Sequence, residues 1–75
     1  MSALGPALAE ALGGVWYEQR GTVHVASSGS AAIIRADLYG RVWLDHGHGP
    51  LVRLGSHSDG VEALAEASRD AGVGA

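Results

Sequence analysis

The chain has 75 residues, of which 47% are hydrophobic, and it carries a formal net charge of −3 without any cysteine. A chain of this length folds as one domain with a small core, because only about 60% of its unfolded surface can be buried. The absence of cysteine excludes disulfides and thiolate metal sites, and no segment reaches the ~18 continuous apolar residues that span a bilayer. These features, together with the lack of a signal-peptide n-region, predict a cytoplasmic protein.

The charged residues are unevenly distributed along the chain. Residues 15–55 contain four Arg and three acidic residues, whereas the two ends together contain one Arg and five acidic residues. The predicted sheet is therefore weakly basic and the predicted helices are acidic. All five basic residues are Arg, and Lys and Asn are absent, which indicates a GC-rich genome.

The first predicted element is a short helix over residues 2–12. Leu4, Leu8 and Leu12 recur every four residues, Pro6 suits a first turn, and the two glycines that follow can end the helix. A helix this short is marginal on its own. We therefore expect its leucine stripe to dock on the rest of the domain.

Residues 15–55 then have the pattern of an antiparallel meander. Runs of β-branched and aromatic residues alternate with glycine-bearing turns, beginning with a hairpin at Arg20 and Gly21. A cluster of small polar residues at 27–30 predicts the next turn. Pro50 lacks a backbone N–H donor, which predicts an edge position for the last strand. The predicted strands are 15–19, 22–26, 32–38, 41–46 and 51–54.

The last predicted element is an amphipathic helix over residues 57–71, followed at 72–75 by the helix stop and a fraying tail. Ser56 with Asp59, or Asp59 with Glu62, has the spacing of a capping box. One stripe of this helix is apolar and is expected to pack on the sheet. The predicted fold class is therefore α+β: a short N-terminal helix, a five-stranded antiparallel β-meander and a C-terminal amphipathic helix packed on one sheet face.

Side chains alternate across a strand, which divides the predicted sheet into two faces. One face is almost wholly apolar and is predicted to form the core: Val15, Tyr17, Val23, Val25, Ile34, Ala36, Leu38, Val42, Leu44, Val52 and Leu54. The other face is mixed. A sheet face left in water normally reads polar, so tryptophans and arginines together there predict a binding surface. The predicted binding residues are Trp16, Ile33, Arg35, Arg41, Trp43, Leu51 and Arg53.

Two arrangements would remove this surface. The N-terminal helix could cross the mixed face, or the sheet could curl so that the tryptophans pack together as core. A one-residue error in strand register would also exchange the two faces. In the fourth strand Val42 and Leu44 flank Trp43, which makes such a slip costly there.

The histidines suggest at most a weak metal site, at His46, His48 and His57. Imidazole and carboxylate are reasonable zinc or nickel ligands, but the spacing is not diagnostic. His57 follows the next strand, about 10 to 15 Å away at roughly 3.3 Å per residue. Polar histidines in turns are the favoured interpretation. The sequence contains no serine triad, facing carboxylate pair or phosphate loop, so neither an enzyme nor a cofactor is predicted.

The order of elements, a meander followed by a C-terminal helix, resembles the layout of single-strand-binding transcriptional cofactors, without a shared motif. This resemblance implies nucleic-acid binding in which Trp16 and Trp43 stack on bases. The pI of 5.7 disfavours it, since such proteins normally present a basic footprint. The primary prediction is a non-catalytic interaction or regulatory protein that binds a protein partner, or forms a homodimer, through the mixed face.

Overall fold

The computed structural model describes residues 3–27 and 29–73. Within these ranges the chain forms α1 (Leu4–Leu12), β1 (Gly14–Gln19), β2 (Thr22–Ser27), β3 (Ile33–Ala36), β4 (Arg41–Asp45), β5 (Val52–Ser56), a 3-10 turn (His57–Asp59) and α2 (Val61–Asp70). The predicted α+β class is confirmed. Residue 2 of the predicted first helix and residues 74–75 of the predicted tail lie outside the described residues.

The strands form one antiparallel sheet in the order β1-β2-β3-β4-β5, so each strand pairs with its neighbour in sequence. β1 and β2 are joined by Arg20 and Gly21, whose φ values are 53° and 78°. Two consecutive positive φ values define a type I′ turn, the geometry that matches the twist of a two-residue hairpin. The predicted meander and its first hairpin are therefore confirmed.

Both helices pack on the same face of the sheet. α1 contacts β1 and β2, α2 contacts β5, and the two helices contact each other. The leucine stripe of α1 is fully used, since none of its three leucines is more than 4% exposed. The predicted alternative in which the N-terminal helix crosses the mixed face is wrong. The core cluster consists of Leu4, Leu8, Ala9, Leu12, Val25, Ile34, Ala36, Val42, Leu44, Leu64, Ala65 and Val73.

Two hydrogen bonds hold the end of α1 in place. The buried Ser27 hydroxyl donates to the Leu12 carbonyl at 2.9 Å, and Arg69 Nη2 of α2 donates to the Ala11 carbonyl at 3.0 Å. The last carbonyls of a helix have no partner within the helix. These side chains satisfy two of them, so Ser27 is more than the turn former that its sequence context predicts.

The predicted helix over residues 57–71 is divided in two. Asp59 Oδ2 accepts the Ser56 backbone N–H at 2.8 Å, so the first of the two predicted capping boxes forms. It caps the 3-10 turn, and Gly60 at φ 92° then redirects the chain before α2 begins. A positive φ of this kind favours glycine and interrupts a helix.

The end of α2 is packed into the core rather than frayed. Val73 is 1% exposed, and its N–H donates to the Ser68 carbonyl at 2.9 Å while the Gly72 N–H donates to the Arg69 carbonyl at 2.9 Å. With Gly72 at φ 89°, these bonds form a Schellman motif, whose last residue commonly makes an apolar contact. The predicted fraying at residues 72–73 is therefore wrong.

Four residues predicted for the core face are exposed: Val15, Tyr17, Leu38 and Val52. β3 ends at Ala36, so Leu38 lies in the turn that follows it. Val52 lies on the core side opposite Leu44, but at the sheet edge. The other two belong to β1, whose faces are opposite to those predicted.

Candidate functional site

The sheet face opposite the helices carries a row of five polar and aromatic side chains, one from each strand. Opposed residues in an antiparallel pair point to the same side of the sheet, and the register opposes each member of this row to the next. We call this face the open face and this set the central row. The central row consists of Tyr17, His24, Arg35, Trp43 and Arg53.

Asp37 organises the middle of the open face. Its Oδ1 accepts the backbone N–H groups of Tyr39 and Arg41 at 2.8 and 2.9 Å, which shapes the turn between β3 and β4. Its Oδ2 accepts Arg41 Nε at 3.0 Å and Trp43 Nε1 at 3.1 Å. Asp37 therefore fixes both the turn and the orientation of the Trp43 indole.

The same bonds determine the ionisation of Asp37. Burial raises the pKa of this carboxyl, but the hydrogen bonds from the Arg41 backbone, Trp43, the Tyr39 backbone and the Arg41 side chain outweigh it. The pKa falls from 3.8 to about 2. Bonds to the charged form favour that form, so Asp37 is a carboxylate at neutral pH.

Arg53 covers the Trp43 ring at the β5 side of the open face. Its guanidinium carbon lies 5.3 Å from the ring centroid, within the range of a cation–π interaction. Nε donates to the Gly55 carbonyl at 2.8 Å and Nη2 to the Ser56 hydroxyl at 3.1 Å. The guanidinium is thus held by its own strand while it stacks on the neighbouring one.

The arginines of the open face are largely neutralised by nearby aspartates. Arg35 lies 3.4 Å from Asp45, and Arg41 lies 3.0 Å from Asp37. Arg41 also stacks on the Tyr39 ring at 4.9 Å. Because two of the three guanidiniums are paired, the face presents ordered hydrogen-bonding groups rather than a strong positive field.

Tyr17 and His24 stack at the other end of the central row. Their ring centroids are 4.6 Å apart and the rings are nearly parallel, with an interplanar angle of 2°. This cover leaves His24 only 5% exposed, with a buried Nδ1 that lacks a hydrogen-bond partner. Burial lowers the pKa of His24, and the charge of Arg35 lowers it further. A hydrogen bond with the Thr22 backbone and the charge of Asp45 oppose part of this shift. The imidazole is therefore neutral at neutral pH.

The structure brings together most of the predicted binding residues. Arg35, Trp43 and Arg53 are consecutive members of the central row. Ile33 and Arg41 lie on the same face, because each is two residues from a row member in its own strand. Leu51 is exposed and immediately precedes β5.

Trp16 is the exception among the predicted binding residues. It opposes Val25 on the helix side of the sheet, and its ring lies so close to Gly5 of α1 that a Cβ there would be 2.7 Å from Cε3. The prediction that Trp16 and Trp43 share a face is wrong. The type I′ turn decides this, because pairing Gln19 with Thr22 places Tyr17, not Trp16, beside His24.

The weak metal prediction gains no support. The rings of His46 and His48 have centroids 6.2 Å apart in the loop before β5, whereas His57 lies beyond the other end of β5, where its N–H donates to the Gly40 carbonyl. Across residues 3–27 and 29–73, no three His, Asp or Glu side chains are grouped to hold a metal ion.

Three residues of the open face are not among the predicted binding residues: Tyr17, which is predicted for the core face, and His24 and Asp37, which strand alternation already places on the mixed face. The hairpin spacing could have found Tyr17, since a two-residue turn at positions 20 and 21 already opposes residue 17 to residue 24. Asp37 precedes a glycine-bearing turn, a position where aspartate commonly accepts backbone N–H groups. Its bond to Trp43 depends on the strand pairing and has no local signal.

Comparison with models of protein families, with curated proteins and with solved structures found no match. In the part of the chain that the structure describes, no helix is long and apolar enough to cross a membrane.

Proposed function

We propose that this chain is a non-catalytic interaction protein that binds a protein partner through the open face of its sheet. The observation that carries the proposal is the central row, in which aromatic rings and guanidiniums lie side by side opposite the helix layer. Tyr, Trp and Arg are the residue types enriched in binding hot spots.

The open face is ordered before any partner arrives. Trp43 is held by Asp37, and Arg53 by Gly55 and Ser56. Ordering a flexible side chain on binding costs roughly 0.5 to 1.5 kcal/mol. Groups that are already fixed avoid this loss, which favours specific recognition of a complementary surface.

Single-stranded nucleic acid is the alternative ligand for the same face. Trp43 and Tyr17 are suitable stacking groups, but they are not accompanied by a run of unpaired arginines, since Arg35 and Arg41 have aspartate partners. Binding to nucleic acid depends mainly on neutralising phosphates. The ion pairs therefore favour the protein partner.

A matched pair of tryptophan variants tests the proposal. Partners captured from the native cell extract by the wild-type chain are identified, and their affinities for Trp43→Ala and Trp16→Ala are measured by calorimetry. Truncating a hot-spot tryptophan costs about 2 kcal/mol or more, roughly a 30-fold loss of affinity. We expect this loss for Trp43→Ala and little change for Trp16→Ala, which removes the same side chain from the opposite face.

A folded Trp43→Ala variant that retains wild-type affinity would contradict the proposal. Circular dichroism of both variants establishes that they are folded. Titration of the wild-type chain with single-stranded oligonucleotides, followed by tryptophan fluorescence, tests the nucleic-acid alternative. Quenching at low salt that disappears at high salt is expected only of nucleic-acid binding.

A further inference from the structure

One edge of the sheet has unused backbone hydrogen-bonding groups. β1 pairs only with β2, and its other side is the edge of the sheet. The type I′ turn makes Gln19 and Thr22 a hydrogen-bonded pair. Hydrogen-bonded and non-bonded pairs then alternate along an antiparallel ladder. The N–H and C=O groups of Gly14, Trp16 and Glu18 consequently point away from the sheet.

The side chains of β1 favour association at this edge. Val15, Trp16 and Tyr17 are 67%, 43% and 46% exposed, three consecutive large apolar residues on one strand. Protected edges usually carry lysine, proline, a bulge or inward-pointing charges. β1 has none of the first three, and its single charged residue, Glu18, lies on the helix side near the end of the strand.

We infer that β1 pairs with β1 of a second copy of this chain, in antiparallel orientation about a two-fold axis, to form a continuous ten-stranded sheet. The inference does not depend on the proposed function, because it is argued from the backbone edge of β1; of the central row it involves only Tyr17, at its β1 end. Two-fold dimers require a self-complementary surface, and β1 supplies one.

The number of outward residues selects the register. Centring the axis on Trp16 opposes Gly14 to Glu18 of the second copy, Trp16 to its own copy, and Glu18 to Gly14 of the second copy. All three outward residues then form hydrogen-bonded pairs, which gives six bonds. Centring the axis on Val15 or Tyr17 leaves only two such pairs. The third outward residue then faces a position beyond the end of β1 in the second copy.

Side-chain packing and charge favour the same register. The two Trp16 rings face each other on the helix side, and each Val15 faces Tyr17 of the second copy on the open face. Aromatic and β-branched residues are favourable cross-strand pairs. Each Glu18 faces a glycine, so the two carboxylates do not oppose each other. The pairing of apolar side chains without opposed like charges is the reason to assign the edge to a second copy rather than to an unrelated strand.

The first test compares equivalent substitutions on the two edge strands. Val15→Lys introduces a charge at the β1 edge. Val52→Lys makes the same change at an exposed valine of β5, the strand at the opposite edge of the sheet. Light scattering after size exclusion should give twice the 7.6 kDa chain mass for the wild type and Val52→Lys. Val15→Lys should give the mass of one chain.

The second test removes the bonding group itself. Glu18→Pro eliminates an outward N–H without removing a bond to β2, since proline is tolerated on the solvent side of an edge strand. Each dimer loses two hydrogen bonds, so its dissociation constant should rise about 30-fold at ~1 kcal/mol per bond. Glu18→Ala retains the N–H and should dimerise as the wild type does.

Amide exchange distinguishes edge pairing from any other dimer. The amides of Gly14, Trp16 and Glu18 should become protected as the wild-type concentration rises, whereas those of Val15 and Tyr17 are protected by β2 at every concentration. A wild type that stays monomeric at millimolar concentration would overturn the inference. So would a dimer in which the three outward amides remain unprotected, or one that a folded Glu18→Pro variant forms equally well.

Discussion

The two edge strands of this sheet expose their backbones differently. At β5, Arg53 covers the Gly55 carbonyl, Pro50 precedes the strand, and the register shifts between Val42 and Trp43, which leaves Leu54 as an extra, bulged residue. β1 is a regular six-residue strand whose valine, tryptophan and tyrosine are exposed. Proline, bulges and charged side chains are the usual means of preventing edge-to-edge association.

The contrast shows that protection of an edge is a local property of each strand. Both strands belong to one sheet and border the same helix layer, yet only β5 has a side chain, Arg53, bonded to one of its own backbone carbonyls. A domain of this size has little core to spare. An unprotected apolar edge therefore indicates a surface for association, and the following predictions test the difference between the two edges.

The largest effect is expected at the glycine of each edge strand. A Cβ at Gly14 would collide with the Ala26 carbonyl oxygen and the Ser27 backbone, neither of which can rotate away. A Cβ at Gly55 would meet Asp59 Oδ2 at 2.5 Å, a side-chain atom that can move if its bond to the Ser56 N–H weakens. Gly14→Ala should lower the free energy of unfolding by about 3 kcal/mol and Gly55→Ala by about 1 kcal/mol.

Urea denaturation of both variants measures this difference. Both are measured at one protein concentration, low enough for the dimer to dissociate, so that association does not add to the free energy of unfolding. Equal losses for the two glycines would show that the close approach of β1 to β2 is not rigid.

Acid should weaken the β1 side of the sheet before the β5 side. The lowered pKa of buried His24 means that the unfolded chain binds a proton more readily than the folded one below the usual pKa of 6.5. The free energy of unfolding should therefore fall as the pH drops from about 7 towards 5, the range in which an unperturbed histidine takes up its proton. Because Tyr17 of β1 stacks on the imidazole, amide exchange should increase in β1 first.

Two glutamine variants isolate the contribution of this histidine. His24→Gln should reduce the slope of unfolding free energy against pH between 7 and 5, measured by urea denaturation. His46→Gln makes the same change in an exposed loop and is the matched control. Identical slopes for all three proteins would remove His24 as the cause.

The smallest effect on stability is expected from uncovering β5. Arg53→Ala removes an exposed side chain and should change the free energy of unfolding by less than about 1 kcal/mol. It also frees the Gly55 carbonyl to bind another chain at the β5 edge. Species larger than a dimer should therefore form as the protein concentration rises. Light scattering checks this against Arg20→Ala, which removes one exposed arginine from the hairpin turn. If both variants show the same mass distribution, Arg53 does not protect the edge.

The sequence predicts much of the fold because its local signals agree. Glycines mark the turns, and charged residues indicate the two sides of β3 and β4. Arg35 follows Ile34, and Arg41 and Asp45 share the side of Trp43, so the sides of Ile34, Trp43 and Leu44 follow from the pleat. The leucine spacing of α1 likewise predicts its buried stripe. The predicted strand ends are less accurate, because β3 ends at Ala36 and β5 continues to Ser56.

The candidate site is only partly predictable for a physical reason. In β1 Val15, Trp16 and Tyr17 are all apolar, so alternation does not indicate which side faces the helices. Hydrogen-bond register at the hairpin decides it, placing Trp16 beside α1 and Tyr17 on the open face. The bond from Trp43 to Asp37 and the stacking of Arg53 on Trp43 join residues from different strands or turns.

The sequence by itself determined the number and order of the strands, the hairpin turn and the mixed composition of one sheet face, since these depend on residues that are near neighbours along the chain. Only the tertiary structure decided which residues of β1 join that face, how Asp37 orders it and which edge stays uncovered. These features depend on register and on the packing of both helices against one side, which arise only when distant segments meet.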